Sequence, residues 1–244
     1  MSRILIISDV HANVVALDTV LGEVGVVDEI WSLGDIIGYG PRPRECLDRV
    51  RAAAPLVSVP GNHDWACIGR ISLDAFNPVA KFAARWTADR LSSNDVRYLD
   101  LLPERILDRD WTIVHGSPRS PIWEYIVNWR VASENFRYFD TRLCLVGHTH
   151  VQGYFRDDEI TADLRPWQPK DGEVLDVSAG KIIVNPGSVG QPRDGDPRAA
   201  CAILEPEKAT VTFRRIPYAV QETQAQMIAE GLPDALVARI ARGI

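Results

Sequence analysis

The chain has 244 residues, 46% of them apolar and 25% charged. That balance belongs to a folded protein of one or two domains and excludes a disordered segment, a collagen-like repeat or a disulfide scaffold. With 27 Lys and Arg against 33 Asp and Glu the formal charge is -6, so no surface for bulk nucleic acid is expected, while a local site for a small anion is compatible. A chain this long buries a core unaided, so any metal site in it reads as functional. Cys46, Cys67, Cys144 and Cys201 form no CxxC pair and sit beside apolar residues, as buried reduced thiols do. No apolar run reaches the ~18 residues of a membrane span, and the first run meets Asp9 too soon for a secretory leader. A cytoplasmic protein without a membrane segment is expected.

In chain order, the first half alternates a short apolar run, a polar knot and a segment with helical spacing, the pattern of an α/β protein. Residues 4–7 read as a buried strand, followed by a helix carrying Leu17, Val20, Leu21 and Val24 behind Asn13 as N-cap. Residues 30–33 form the next strand, Pro43 opens a helix with Cys46, Leu47 and Val50 inward, and 56–59 is a third strand. Asn77 and Pro78 open a longer helix with Val79, Phe82, Ala83 and Trp86 on one face, and a short helix with Val96 and Leu99 stops at Pro103.

From Ile106 the character turns to β, with strands expected at 111–114, 143–146, 174–177, 182–184, 200–204 and 211–213. Turns such as Asp171-Gly172 and Ala179-Gly180 are short enough to impose antiparallel neighbours, so two packed sheets of mixed direction are expected. The chain returns to helix from Val220, broken at Gly231 and Pro233. Without repeat or linker, residues 1–244 read as one domain with C-terminal helices from about 219 to 244.

Five of the apolar runs lead into a residue able to bind a metal: Asp9, Asp35, Asn62, His115 and His148. Ligands of an open α/β sheet bind beyond the carboxyl ends of its strands, so side chains far apart in sequence converge there. All five histidines, His11, His63, His115, His148 and His150, lie in such knots. In Asp9-Val10-His11 and His148-Thr149-His150 a spacing of two points both side chains the same way in extended backbone. Glycines at 34, 61, 116 and 147 stand beside the candidate ligands and permit sharp turns. Carboxylate, amide oxygen and imidazole without thiolate suit Mn²⁺, Fe²⁺ or Zn²⁺. Seven candidates, Asp9, His11, Asp35, Asn62, His115, His148 and His150, are too many for one ion; two ions roughly 3.5 to 4 Å apart with a bridging carboxylate would use them all.

Asp9-Val10-His11, Gly34-Asp35, Gly61-Asn62-His63-Asp64, His115 and Gly147-His148-Thr149-His150 occur in that order, and the chain resembles the calcineurin-like metallophosphoesterase superfamily. It is similar to the small bacterial and archaeal phosphodiesterase branch through Asn185-Pro186-Gly187-Ser188 and the Gln191 to Pro197 segment. The resemblance implies a four-layer α-β-β-α sandwich with two mixed sheets flanked by helices. It also implies one ion on Asp9, His11, Asp35 and His150 and a second on Asp35, Asn62, His115 and His148, with Asp35 as the bridge. His63 would face the substrate and protonate the leaving oxygen or stabilise its charge, with Asp64 orienting the imidazole. A hydroxide bridging the two ions would attack phosphorus. Protein phosphatases of the superfamily carry Asp-Arg-Gly after the Gly-Asp motif, where this chain has Gly38-Tyr39-Gly40; without that arginine, a phosphoprotein substrate is not expected, and the expected substrate is a small, nucleotide-like phosphodiester. A nuclease or dinucleoside polyphosphate hydrolase of the same fold is the nearest alternative, and a non-catalytic protein-binding scaffold is the alternative of another class. Asn185 to Ser188 reads as support for the site. Arg193 and Arg198 are compatible with gripping a second phosphate, but Arg193 lies among Gly, Pro and Asp like any loop residue, and both are left outside the site. The aromatic stretch 117–129 is compatible either with stacking a base near His115 or with ordinary packing, and oligomeric state is left open.

Overall fold

The side chains of residues 4–7 alternate between two apolar clusters, Ile4 and Ile6 in one and Leu5 and Ile7 in the other, as the pleat of a strand requires. That division sets the architecture. The computed structural model describes residues 2–53, 56–108, 110–158 and 165–244. Its strands are β1 (Ile4–Ile7), β2 (Glu29–Ser32), β3 (Leu56–Ser58), β4 (Arg105–Asp108), β5 (Trp111–Val114), β6 (Leu143–Leu145), β7 (Gly153–Arg156), β8 (Val174–Asp176), β9 (Ile182–Asn185), β10 (Ala199–Glu205) and β11 (Thr210–Ile216). Its α-helices are α1 (Val14–Glu23), α2 (Pro43–Ala52), α3 (Asn62–Cys67), α4 (Pro78–Ala88), α5 (Ser93–Asp100), α6 (Trp129–Asn135), α7 (Val220–Ala229) and α8 (Asp234–Ile240).

The strands form a six-stranded sheet of order β3-β2-β1-β10-β11-β8 and a five-stranded sheet of order β4-β5-β6-β9-β7. Both are mixed: β1, β2 and β3 run parallel in the first, β5, β6 and β9 in the second, and the remaining pairs are antiparallel. Ile4, Ile6, Trp31 and Leu33 of the first sheet meet Ile113, Leu143, Leu145 and Val184 of the second in one buried cluster, with Phe213 fully buried among them. The opposite face of the first sheet, through Leu5, Ile7 and Cys201, packs on α1, α2, α4, α7 and α8. Cys144, Val146 and Ile183 on the far face of the second pack against Ala132 of α6 and against Phe136. The order helix, sheet, sheet, helix is the expected four-layer sandwich.

Local chemistry explains the helix starts. Asn13 accepts from the Ala16 N–H at 3.2 Å and Asn77 from the Ala80 N–H at 2.9 Å, each satisfying a first-turn donor. All four cysteines are buried free thiols. No helix among the described residues is long and apolar enough to cross a membrane.

The structure departs from the expectations in four places. The α4 face is rotated: Ala80, Ala83, Ala84, Trp86 and Thr87 are buried while Phe82 is 46% exposed, because the small alanine face lets the helix approach the core more closely than a phenylalanine face would. The short link through Ala179-Gly180 does not join antiparallel neighbours, since β8 lies in the first sheet and β9 in the second; a brief link is also long enough to step between two sheets about 10 Å apart. Strands β4 and β7 add to the expected set, and both are edge strands, where apolar patterning is weakest. Helices α3 and α6, of six and seven residues, stand where the sequence pattern shows only loop.

Phe213→Ala is expected to cost about 3 to 5 kcal/mol and to lower the thermal midpoint by roughly 6 to 20 °C, whereas Phe82→Ala should shift it by no more than about 2 °C. Thermal unfolding of the two variants beside the parent checks both the inter-sheet core and the orientation of α4.

Candidate metal centre

The loops after β1, β2, β3, β5, β6 and β9 meet at one end of the sandwich. Backbone hydrogen bonds stitch them together: the Asp9 N–H donates to Gly34 O at 3.0 Å, the His11 N–H to Asp35 O at 2.9 Å, the Gly147 N–H to His115 O at 2.7 Å and the Gly190 N–H to Asp9 O at 3.1 Å. Of the eight non-glycine residues with positive φ among the described residues, seven belong to these loops: Asp9, His11, Ala12, Asp35, Tyr39, His148 and His150. Each such residue is costly, of order 1 to 3 kcal/mol, and persists only where its surroundings over-determine it. Strain of this kind, concentrated where these loops converge, marks the place of function.

All seven candidate ligands lie here, and all are buried. Ligand atoms of Asp9, His11, Asp35 and His150 lie within 4.8 Å of one another, and so do those of Asp35, His115 and His148. Asn62 joins the second group, with its Oδ1 3.3 Å from His115 Nε2. Asp9 and His11 fall in one group, as the spacing argument expects, but His148 and His150 fall in different groups, and the extended backbone on which that argument rests is present in neither pair. The reason is the backbone: all four are left-handed rather than extended, so residues two apart need not point alike.

Each histidine of the two groups has one ring nitrogen spoken for. His11 Nδ1 donates to Ile37 O at 3.2 Å, His115 Nδ1 to Leu33 O at 2.8 Å, His150 Nδ1 to Gln191 O at 2.6 Å and His148 Nε2 to Trp123 O at 3.2 Å. A carbonyl only accepts, so each of these nitrogens carries the proton and the other nitrogen of the neutral ring presents a lone pair. Those lone-pair nitrogens face each other, His11 Nε2 and His150 Nε2 at 3.1 Å and His115 Nε2 and His148 Nδ1 at 3.1 Å. Two acceptors cannot bond to one another. Beside them, Asp9 Oδ1 and Asp35 Oδ2 are buried without a hydrogen-bond partner, although Asp9 Oδ1 is 3.2 Å from His150 Nε2 and Asp35 Oδ2 is 3.4 Å from His115 Nε2. Unpaired carboxylate oxygens and converging imidazole lone pairs fit a divalent cation, and nothing else among the described residues satisfies them.

The charges respond accordingly. Burial pushes Asp9 up to about 7, against the pull of His115 and reinforced by Asp35. Burial would raise Asp35 as well, but His115, His63 and His11 outweigh it and hold its carboxyl well below the usual range. Burial drives His11, His148 and His150 well below the ordinary imidazole value. His115 is also buried, yet contact with Asp35 prevails and raises it to about 9, so its Nε2 presents a lone pair to a cation only by giving up the proton that Asp35 favours there.

His63 lies on the first turn of α3, its N–H donating to Asp35 Oδ1 at 2.8 Å. Its ring packs against Tyr39 at 4.3 Å, His11 at 5.0 Å and Phe76 at 5.1 Å, its Nδ1 has no partner, and burial lowers its pKa to about 4. Asp64 does not orient that ring. Its carboxylate accepts from the Gly61 N–H at 2.9 Å and the Ile37 N–H at 3.1 Å, because consecutive helical side chains diverge by about 100°. Asp64 therefore ties the Asn62 turn to the loop after Asp35.

Asn185 and Ser188 support the centre as expected: Asn185 Nδ2 donates to Gly147 O at 2.7 Å and Ser188 Oγ to Asp9 O at 2.7 Å. The aromatic stretch divides. Tyr125 stacks on His148 with centroids 3.7 Å apart and Trp123 meets Phe76 at 5.5 Å, while Trp129 turns away to pack on Phe136 and Phe155. Sequence reasoning set Arg193 aside as a loop residue, yet its guanidinium lies 6.0 Å from the Tyr39 ring and its charge depresses His11, His63 and His150.

The family model for the calcineurin-like phosphoesterase superfamily domain matches residues 2–209. The chain belongs to that superfamily. It is similar to a metallophosphoesterase from Sphaerobacter thermophilus, 62% identical with a TM-score of 0.93 over 100% of this chain and 99% of the other. It is 34% identical to an uncharacterized protein of Methanocaldococcus jannaschii over 99% of this chain and 98% of the relative. A hypothetical protein from Pyrococcus horikoshii OT3 shares the fold at 18% identity, with a TM-score of 0.79 over 100% of this chain and 99% of that one. With this membership and the buried Asp and His groups, the calcineurin-like chain is a metal-dependent phosphoesterase.

Gly61 is needed for close approach, since a Cβ there would overlap the Asp35 carboxylate and backbone. Gly61→Ala is expected to destabilise the protein by about 2 kcal/mol or more, whereas Gly22→Ala in α1, where a Cβ meets open space, should be neutral or stabilising by up to about 1 kcal/mol. Urea unfolding of the two variants separates them.

Proposed function

We propose that the protein is a dinuclear phosphodiesterase for small phosphate diesters. The observation that carries this reading is the pair of buried ligand groups sharing Asp35, each with ring lone pairs and a carboxylate oxygen turned inward. Asp9, His11, Asp35 and His150 would hold one cation, and Asp35, Asn62, His115 and His148 the other; the donor set suits Mn²⁺, Fe²⁺ or Zn²⁺. Divalent cations so held neutralise phosphoryl oxygens and bring the pKa of water toward ~7.

The chain's own residues do the rest. The carbonyls of Ile37, Leu33, Gln191 and Trp123 fix the four rings, so the ligands are oriented before any ester arrives. His63, buried beside Tyr39 and Phe76, is the side chain assigned to stabilise charge on the leaving oxygen, and Asp64 positions it through the backbone. Tyr39 stands where the loop after Asp35 would otherwise offer an arginine for a phosphoprotein monoester. Tyr125 and Trp123, 45% and 39% exposed, give the organic part of a small diester an aromatic rim to stack on. The four buried thiols support a reducing, cytoplasmic compartment.

Manganese-loaded protein is expected to cleave a chromogenic diester faster than the matching monoester, and a monoester rate equal or higher would remove the diester assignment. His63→Ala should keep the metal content of the parent and lose about 10²- to 10⁴-fold in turnover; unchanged turnover would remove His63 from the chemistry.

A further inference from the structure

Three arginines lie on or against the 191–198 segment, and two of them are neutralised where they stand. Arg198 pairs with Asp196 at 2.6 Å, and the buried Arg215 pairs with Asp194. Arg193 is different. Among the described residues no carboxylate lies within ion-pair distance of it; its Nη2 donates to Gln191 Oε1 at 2.9 Å, and its Nε is buried with no partner at all. Leaving a charged donor unsatisfied in this way is costly unless a ligand completes it.

Its position is fixed by the centre itself. The Arg193 N–H donates to His150 O at 3.1 Å, and two residues earlier the carbonyl of Gln191 accepts from His150 Nδ1. The guanidinium reaches toward Tyr39, whose ring contacts both His11 and His63, and the residue also lines a largely apolar cavity of about 200 Å³ with Val127, Val151 and Phe155. From α8, Arg239 adds a second guanidinium close by; it donates to Ile244 O at 2.6 Å and is held below the ordinary arginine value by burial and by Arg193.

Two guanidinium groups beside a cation-binding centre repel one another and the ions it takes. An anion held by Arg193 offsets that repulsion, and a planar guanidinium matches phosphoryl oxygens two at a time. We propose that Arg193 is a substrate-binding residue that grips the phosphoryl oxygens of the ester over the metal centre, supplying from the 191–193 segment the cation that the loop after Asp35 lacks. This rests on the phosphoesterase reading of the site.

Binding of inorganic phosphate to the manganese-loaded protein, measured by titration calorimetry, tests it. Arg193→Gln is expected to weaken phosphate binding by about tenfold or more and to raise KM for a chromogenic ester in step, with metal content unchanged. Arg193→Lys keeps stem and charge but not the fork and should weaken binding by about threefold, which serves as the test if the glutamine variant does not fold. Arg198→Gln, whose partner is Asp196, should bind phosphate as the parent does. Parental phosphate affinity in the folded Arg193 variants overturns the assignment. A parent protein that cleaves no phosphate ester with any divalent ion overturns instead the reading on which it rests.

Discussion

The Asp35 carboxylate is the constraint around which the molecule is arranged. It belongs to both buried ligand groups, it accepts the N–H of His63, and it carries its charge despite complete burial because His115, His63 and His11 surround it. A carboxylate in so apolar a setting is tolerated only with compensating positive charge. Of the three neighbouring rings only His115, raised to about 9, provides part of it, and divalent cations would provide the rest.

The sandwich serves that carboxylate by bringing strand ends together. Asp9 and Asp35 lie just past neighbouring parallel strands of one sheet, and His115 and His148 just past neighbouring parallel strands of the other. Face-to-face packing through Ile4, Ile6, Leu143 and Leu145 makes the two pairs meet. The loops then turn through left-handed residues that hydrogen bonds between loops hold in place. Packing between the sheets therefore bears the strain at the centre, which connects core stability to the geometry of the ligands.

Much of this is legible in the chain. The polar residues at the ends of apolar runs are the residues that converge, and Asn13, Pro43 and Asn77 start helices as their chemistry requires. Each feature that the sequence hides is hidden for a physical reason. The division of His148 and His150 between two groups depends on positive φ, which no spacing rule reports. Asp64 serves the backbone rather than the His63 ring because a short helix starts at Asn62, a turn too brief to show a period. Arg193 looks like any loop arginine in the sequence, since its lack of a partner appears only when Asp194 and Asp196 are seen to be taken by Arg215 and Arg198. Phe82 and the alanines of α4 offer two neighbouring apolar stripes, and close packing chooses between them.

The most direct measurement is anomalous diffraction at the manganese edge from crystals of manganese-loaded protein. The account predicts two peaks flanking the Asp35 carboxylate, one among Asp9, His11 and His150 and the other among Asn62, His115 and His148. Manganese bound elsewhere, or absent from the reach of Asp35, would contradict it.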